Sequence, residues 1–220
     1  MSLNSLYNTP TRILLIRTDR IGDTILTLPS VTAIRKKYPK AYIAFLSRPY
    51  TQPLIEQYSG IDLFLTYDPD GIHKGFKGIL KLIKELKEHK FHSAILFYPR
   101  IELAFAIFRA KIPIRIGTGY RWYSFFFNNR IFEHRKECKK HESEYNLSLL
   151  EPLIPLKKTL PEYEFKPWIK KEWWKKFQQE IKFNSYAIVH PGSGNSAPNL
   201  NNEQYNLIIN LLLENTDWTI

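Results

Sequence analysis

The residues with the clearest chemical potential are the adjacent Gly22 and Asp23. They follow the branched apolar run Ile13–Ile16, which is typical of a strand buried on both faces of a parallel sheet. Apolar residues with helical spacing follow from Ile25 to Tyr38, so Asp23 lies in the first turn of a predicted helix. The carboxylate is therefore expected at the carboxyl end of a strand, the edge at which open α/β sheets bind ligands.

Two roles for Asp23 follow from this position. An aspartate in the first turn commonly caps the helix and complements its dipole, and spacing alone favours that role. Its carboxylate could instead accept a proton from a neutral hydroxyl group. A dinucleotide site is excluded, because the loop has only Gly22 where three glycines are required, and because Asp23 would repel a phosphate.

Composition indicates a globular chain with an anionic partner. The 220 residues are 44% hydrophobic, and the formal net charge is +11 with a pI near 9.6. This surplus suits nucleic acid, an acidic membrane surface or a phosphorylated glycolipid, and does not choose among them. The single cysteine, Cys138, excludes an internal disulfide and is compatible with a reducing compartment.

The amino-terminal segment is polar and lacks the apolar core of a signal peptide. Apolar runs such as Leu103–Phe108 are too short to cross a bilayer. We therefore expect a soluble cytoplasmic protein, with loose attachment to the cytoplasmic face of the inner membrane left open.

Strand and helix patterns alternate along the chain, which predicts an α/β fold with a doubly wound parallel sheet. Further strands are expected at Ala41–Leu46, Ile61–Leu65, Phe91–Tyr98 and Ile112–Gly117, and further helices at Thr51–Tyr58, Phe76–Lys90, Ile101–Ala110 and around Tyr145–Leu150.

An aromatic segment, Tyr120–Phe127, contains Arg121. Such a segment could stack on bases or sugar rings, or could form a buried corner flanked by surface arginines.

Further along, His141 and Glu144 precede a helix, and we expect His141 to orient that helix or to border a cleft. A zinc site is not expected, because His134, Cys138 and His141 lack a second ligand pair at a recognised spacing.

Prolines between Pro155 and Pro167 predict a linker, and tryptophans among lysines then predict an amphipathic helix. Tyr186–His190 is predicted to be a strand that leads into a glycine-bearing loop, followed by a helix over Asn202–Glu214 and the start of a strand at Asp217–Ile220.

The segment Ile13–Pro39 resembles the opening of glycosyltransferase family 9, the heptosyltransferases of lipopolysaccharide core synthesis. The matching residues are Ile13-Leu14-Leu15-Ile16, Arg17-Thr18-Asp19-Arg20-Ile21-Gly22-Asp23, Leu26-Thr27-Leu28-Pro29 and Ile34-Arg35-Lys36-Lys37-Tyr38-Pro39. Similar passages follow at Ile112-Pro113-Ile114-Arg115-Ile116-Gly117, at His141 to Glu144, and at His190-Pro191-Gly192-Ser193-Gly194.

The resemblance implies a GT-B fold with two Rossmann-like domains. Residues 1–154 would form the acceptor-binding domain, residues 155–185 the linker and interdomain helix, and residues 186–220 the incomplete start of the donor-binding domain. Asp23 would be the general base. The acceptor would contact Thr18, Arg20, Gly22, Arg100 and Arg121, with Arg17 beside them, and the donor phosphates would contact Gly192, Ser193 and Gly194.

Two departures from the family pattern concern the donor side. Ala197-Pro198-Asn199 stands where relatives carry a Lys or Arg before Trp-Pro, so a cation for the leaving diphosphate is missing there. The Asp-x-Gly-x-x-His segment of relatives is also absent, and the chain is expected to be truncated in its donor domain.

The resemblance implies an inverting glycosyltransferase that moves a heptose or related sugar from a nucleotide sugar, ADP-heptose, to a phosphorylated lipid A-core glycolipid, without a metal or other cofactor. The alternative is a truncated, non-catalytic remnant that binds the acceptor. A nucleic-acid partner is not expected, since no recognised nucleic-acid motif accompanies the positive charge.

Overall fold

The computed structural model describes residues 12–135, 139–155, 175, 186–192 and 198–220. The chain divides into two compact units, Met1–Lys166 and Pro167–Ile220. The predicted linker and the tryptophan-containing helix lie outside the described residues, apart from Lys175, which is helical.

The first unit alternates strands and helices as the sequence pattern predicts. In chain order its elements are β1 (Arg12–Ile16), α1 (Ile21–Ile25), α2 (Pro29–Lys37), β2 (Tyr42–Ser47), α3 (Gln52–Glu56), β3 (Leu63–Thr66), α4 (Gly75–Glu88), β4 (Ser93–Leu96), α5 (Ile101–Arg109), β5 (Ile114–Thr118), β6 (Asn129–Ile131) and α6 (Glu142–Ser148), with short 3₁₀ turns at Pro49–Thr51 and Ser124–Phe126.

All described strand pairs in this unit are parallel, and the strand order is β3-β2-β1-β4-β5-β6. The order reverses between β1 and β4, so the crevice at their carboxyl ends is the expected ligand site of a doubly wound sheet. The predicted α/β class with a parallel doubly wound sheet is therefore confirmed, and β6 is a strand that the sequence pattern did not reveal.

The four-residue apolar run is buried on both faces, as its composition predicts. Ile13 and Leu15 pack against α2 and α6, while Leu14 and Ile16 pack on the face that α4 and α5 cover. This double burial fixes the position of β1, and thereby the start of the loop that carries Gly22 and Asp23.

The prediction of one continuous helix after this loop is wrong. A turn at Leu26–Leu28 separates α1 from α2, and Pro29 stands in the first turn of α2. Proline has no N–H to donate to the preceding turn, so it starts a helix well and interrupts one that runs into it.

In the second unit, α7 (Asn202–Asn215) begins with a reciprocal cap in which Asn201 and Gln204 bond each other's backbone N–H groups. The two strands predicted around this helix are reduced, among the described residues, to one parallel bridge between Tyr186 and Thr219. The two residues of this bridge lie before and after α7, in the positions of the predicted strands, and neither belongs to an extended strand.

Candidate active site

A buried arginine organises the carboxyl edge of β1. The side chain of Arg17 is 3% exposed, and its Nε and Nη2 atoms donate to the two carboxylate oxygens of Asp19 at 2.6 and 2.8 Å. Nη2 also lies 3.1 Å from Oδ1 of Asp23, and Nη1 lies 3.3 Å from Oε1 of Glu142. A charge removed from water requires partners, and Arg17 has three carboxylates around it.

The expectation that Arg17 contacts the acceptor stays a prediction, and in this structure Arg17 is already engaged by protein groups. Its five N–H donors are directed at protein groups, and its side chain is buried beneath Asp19 and Asp23. Arg17 therefore positions the carboxylates of the site from below.

Asn146 joins this cluster to the turn between α1 and α2. Its fully buried amide accepts hydrogen bonds at Oδ1 from Nη1 of Arg17 (3.1 Å) and Nη2 of Arg135 (3.2 Å). Its Nδ2 donates to the carbonyl oxygen of Leu26 (3.1 Å) and lies 3.2 Å from Oγ1 of Thr27. All hydrogen-bonding atoms of the amide are engaged, so α6 is held in register with the loop that carries Asp23.

Arg135 completes the cluster by pairing with Glu142. Two guanidinium groups thus face three carboxylates, those of Asp19, Asp23 and Glu142, so one negative charge is left over when all five groups are ionised.

The carboxylates differ in their surroundings. Burial raises the pKa of Asp19 above its ordinary value, although the hydrogen bond and the charge of Arg17 act in the opposite direction. Burial likewise lowers the pKa of Arg135. The side chain of Asp23 is 34% exposed, against 12% for Asp19, so Asp23 is the more accessible to an incoming molecule.

Asp23 lines a cavity of about 660 Å³ at the carboxyl ends of β1, β4, β5 and β6. Its polar walls come from residues of five separate segments: Arg17, Asp19, Asp23, Tyr98, Thr118, Tyr120, Arg121, Glu133, His134, Arg135, Glu142 and Tyr145. The size and the mixed polar and apolar lining suit a small polar ligand such as a sugar.

The structure brings together some of the predicted acceptor residues and separates others. Arg121 shares the cavity with Asp23, and Gly22 and Arg20 are exposed beside it at the start of α1. Thr18 is buried, and its Oγ1 has no hydrogen-bond partner among the described residues. Arg100 lines a neighbouring cavity with Tyr67 and His73.

The predicted donor loop is described only in part. Gly192 has a φ of 104°, which favours glycine, and its N–H donates to the hydroxyl of Tyr205 at 3.3 Å. Ser193 and Gly194 lie outside the described residues.

The His141 motif has the helix-orienting role that its pattern predicts. Nδ1 of His141 accepts from the backbone N–H of Ser143, and the carboxylate of Glu144 accepts from the N–H of His141 at 2.7 Å. The cap fixes the start of α6, which carries Glu142 and Asn146 on one face, four residues apart. The sequence pattern predicts this helix but does not indicate that Glu142 and Asn146 belong to the site.

The aromatic segment Tyr120–Phe127 contains both buried rings and exposed rings, the two alternatives that its sequence left open. Tyr123 and Phe127 are buried, whereas Tyr120, Trp122 and Phe125 are 47%, 76% and 56% exposed. The hydroxyl of Tyr120 lies 2.7 Å from Nε2 of His134 at the cavity wall.

No group of three His, Cys, Asp or Glu side chains in the described part of the chain could hold a metal ion. No helix within the same part is long and apolar enough to span a membrane.

The first unit is thus a parallel Rossmann-like sheet with a carboxylate at its switch-point crevice. No family model matches the chain. A Haemophilus influenzae protein described as "Putative glycosyltransferase" is 28% identical over 218 residues, a region that covers 95% of this chain and 62% of the relative.

Solved structures agree on the fold. The glycosyl transferase family 9 structure from Veillonella parvula is matched with a TM-score of 0.68 and 21% identity, over 81% of this chain and 52% of that one. E. coli heptosyltransferase WaaC with ADP is matched with a TM-score of 0.68 and 14% identity, over 91% and 64%. E. coli ADP-heptose lps heptosyltransferase II is matched with a TM-score of 0.60 and 17% identity, over 80% and 52%.

The resemblance to glycosyltransferase family 9 that the opening motif indicated is confirmed by these matches, and the fold is heptosyltransferase-like. The chain spans between half and two thirds of the length of the relatives described above.

Proposed function

We propose that this chain holds the acceptor and supplies the general base for glycosyl transfer from a nucleotide sugar. The observation that carries the proposal is the carboxylate of Asp23, held through Oδ1 by a buried arginine and set in the wall of a cavity at the sheet's switch point. Among the described residues no hydrogen bond engages Oδ2 of Asp23, so that oxygen is available to an acceptor hydroxyl.

In this proposal Oδ2 of Asp23 accepts the proton of the acceptor hydroxyl while the hydroxyl oxygen attacks the anomeric carbon of the donor. The bond from that carbon to the diphosphate breaks, and the nucleoside diphosphate leaves with the electron pair. Attack opposite the leaving group inverts the anomeric configuration. Arg17 fixes the orientation of the carboxylate, and the closed network around Asn146 keeps the loop in place for the reaction.

The donor proposed is ADP-heptose. Support comes from the fold shared with heptosyltransferases whose structures contain ADP and ADP-2-deoxy-2-fluoro heptose. The diphosphate would be received by the backbone N–H groups of the loop Gly192, Ser193 and Gly194, where the N–H of Gly192 would exchange the hydroxyl of Tyr205 for a phosphate oxygen. Neither a metal nor another cofactor takes part.

The acceptor proposed is a phosphorylated lipid A-core glycolipid at the cytoplasmic face of the inner membrane. The net charge of +11 favours a phosphorylated partner, and Arg121 and Arg135 place two guanidinium groups on the wall of the Asp23 cavity. Arg20 lies exposed beside it. The second candidate is an acceptor-binding protein without catalysis, which the departure from the family pattern at Ala197-Pro198-Asn199 favours.

The test is transfer from ADP-heptose to a heptose-deficient lipopolysaccharide acceptor, measured as ADP release. Asp23→Asn keeps the shape of the side chain and removes its basicity, so turnover should fall by about 10²- to 10⁴-fold. Asp70→Asn is the matched control, because Asp70 is 79% exposed and pairs with Arg48 away from the cavity. No turnover by the unaltered chain, with retained acceptor binding, would contradict the enzyme proposal and support the binding protein.

A further inference from the structure

A continuous set of exposed apolar side chains lies at the same edge of the sheet as the Asp23 cavity. Ile72, Phe76 and Leu80 are 54%, 71% and 48% exposed, and Phe76 and Leu80 share one face of α4 because they are four residues apart. Trp122 and Phe125 are 76% and 56% exposed. Exposure of this extent in large aromatic residues calls for a partner when the residues are contiguous.

A shared cavity and a series of ring contacts connect the two groups. Phe76 and Phe105 line one cavity of about 510 Å³ with predominantly apolar walls. The ring of Phe105 lies 5.7 Å from that of Phe126, which in turn lies 4.4 Å from Phe125. The ring of Phe125 lies 6.4 Å from that of Trp122. We name Ile72, Phe76, Leu80, Phe105, Phe125 and Trp122 the aromatic surface.

Lysines flank the aromatic surface. Lys74, Lys77 and Lys81 are exposed in the segment that carries Ile72, Phe76 and Leu80, and Lys84 continues the series along α4. On the same helix Glu85 is turned towards His73, with Oε2 at 3.2 Å from Nε2, which leaves Glu88 as the exposed carboxylate of α4. Glu102 is also exposed and lines the cavity of Phe76 and Phe105, so the four lysines face two exposed carboxylates. Apolar rings bordered by several ammonium groups match the interface of a bilayer with anionic headgroups.

The position of the aromatic surface relates it to the candidate site. Its members come from the segments that follow β3, β4 and β5, and the carboxyl ends of these parallel strands form one edge. Tyr98 and Pro99 line the Asp23 cavity, and the next residue, Arg100, lines the apolar cavity. The two cavities therefore adjoin along this segment of the chain. A bilayer seated on the aromatic surface would therefore lie beside the mouth of the Asp23 cavity.

We propose that the aromatic surface is a membrane-docking surface that binds an anionic phospholipid leaflet. The evidence for membrane binding is the aromatic surface itself. Only its purpose rests on the proposed function: a docked chain would present the Asp23 cavity to an acceptor anchored in the same leaflet. Leaflet binding is thus independent of transfer chemistry and can be measured without donor or acceptor.

The experiment is flotation of the 220-residue chain with vesicles of phosphatidylcholine alone and of phosphatidylcholine with about one third phosphatidylglycerol. The chain should bind the anionic vesicles. Lys77→Gln with Lys81→Gln should weaken that binding by about 25-fold, at about five-fold for each lysine removed near the surface. Phe76→Ser and Trp122→Ser should each weaken it about ten-fold or more, because an interfacial aromatic ring no longer enters the leaflet.

Matched controls separate docking from general attraction. Lys40→Gln removes an exposed lysine in the turn before β2, at the opposite edge of the sheet, and Leu207→Ser removes a 60% exposed apolar side chain on α7. Both should bind as the unaltered chain does. Asp23→Asn should also bind normally, so failure of the transfer proposal would leave this result intact.

Three outcomes would overturn the proposal. The first is absence of binding to anionic vesicles, and the second is equal binding by the aromatic variants and the unaltered chain. The third is a dimer in sedimentation equilibrium that Phe76→Ser dissociates while vesicle binding stays unchanged, since the surface would then be an interface between copies of this chain.

Discussion

Nη2 of Arg17 lies 3.1 Å from Oδ1 of Asp23, and the same guanidinium also holds Asp19 and Glu142. The proposed base is therefore positioned by a residue six places before it in the chain and by a helix that begins more than one hundred residues later. Because Arg17 is buried, its loss would leave carboxylates facing each other without a cation.

Arg17→Gln should destabilise the first unit by about 3 kcal/mol, because the uncompensated carboxylates of a partly buried cluster remain after the guanidinium is removed. Urea denaturation followed by far-UV circular dichroism measures this change. Arg20→Gln is the matched control, since Arg20 is exposed, and its effect should stay within about 0.5 kcal/mol. Equal stabilities of the two variants would contradict the positioning role of Arg17.

The sequence predicts much of this fold because the patterns that specify it are local. The run Ile13–Ile16 is apolar at every position, which requires burial on both faces and hence a parallel sheet. The alternation of strands and helices then determines which edge carries Gly22 and Asp23. The pattern does not predict the break at Leu26–Leu28, since the helical spacing of apolar residues continues across it.

The parts of the site that escaped prediction depend on contacts between distant residues. Arg17 and Arg100 are placed with the acceptor through the family resemblance and the positive charge of the domain. The burial of Arg17 depends on Glu142 and Asn146, which are 125 and 129 residues away, so the sequence does not reveal it. Arg100 lines a cavity next to that of Asp23, which the sequence does not reveal either.

Asp19→Asn should become more stable relative to the unaltered chain as the pH rises from about 4 to 7. Burial raises the pKa of Asp19, so the folded state binds this proton more tightly than the unfolded state does. The stability from that tighter binding is fully present below the unfolded pKa and is lost as the pH rises through the folded pKa. Asparagine does not titrate, so the difference in free energy of unfolding isolates this change.

Urea denaturation of both proteins at pH 4, 5, 6 and 7 gives the difference at each pH. A difference that is constant with pH, or that shifts in favour of the unaltered chain as the pH rises, would contradict a raised pKa for Asp19.

Asn146→Leu should destabilise the first unit by about 2 to 4 kcal/mol. Leucine keeps the branched shape of asparagine but cannot form hydrogen bonds, so the carbonyl of Leu26 and the guanidinium of Arg17 lose hydrogen bonds in a buried place. Gln52→Leu removes an amide from an exposed position on α3 and should change stability by less than about 0.5 kcal/mol. An Asn146→Leu protein as stable as this control would show that the amide network contributes nothing.

Gly22→Ala should separate folding from acceptor binding. A Cβ at Gly22 meets no atom within 4 Å, so the methyl group should leave the free energy of unfolding unchanged or raise it by up to about 1 kcal/mol within α1. If the acceptor approaches the backbone at Gly22, as the resemblance to glycosyltransferase family 9 implies, the same methyl group should raise the KM for the acceptor without lowering stability.

Gly78→Ala serves as the opposite case, because its Cβ would clash with the backbone of His73, and it should lower stability by about 1 to 3 kcal/mol. Thermal unfolding and ADP release measured on both variants distinguish the two effects. A Gly22→Ala protein with an unchanged KM would remove Gly22 from the acceptor site, while the assignment of the base to Asp23 would still depend on the Asp23→Asn measurement.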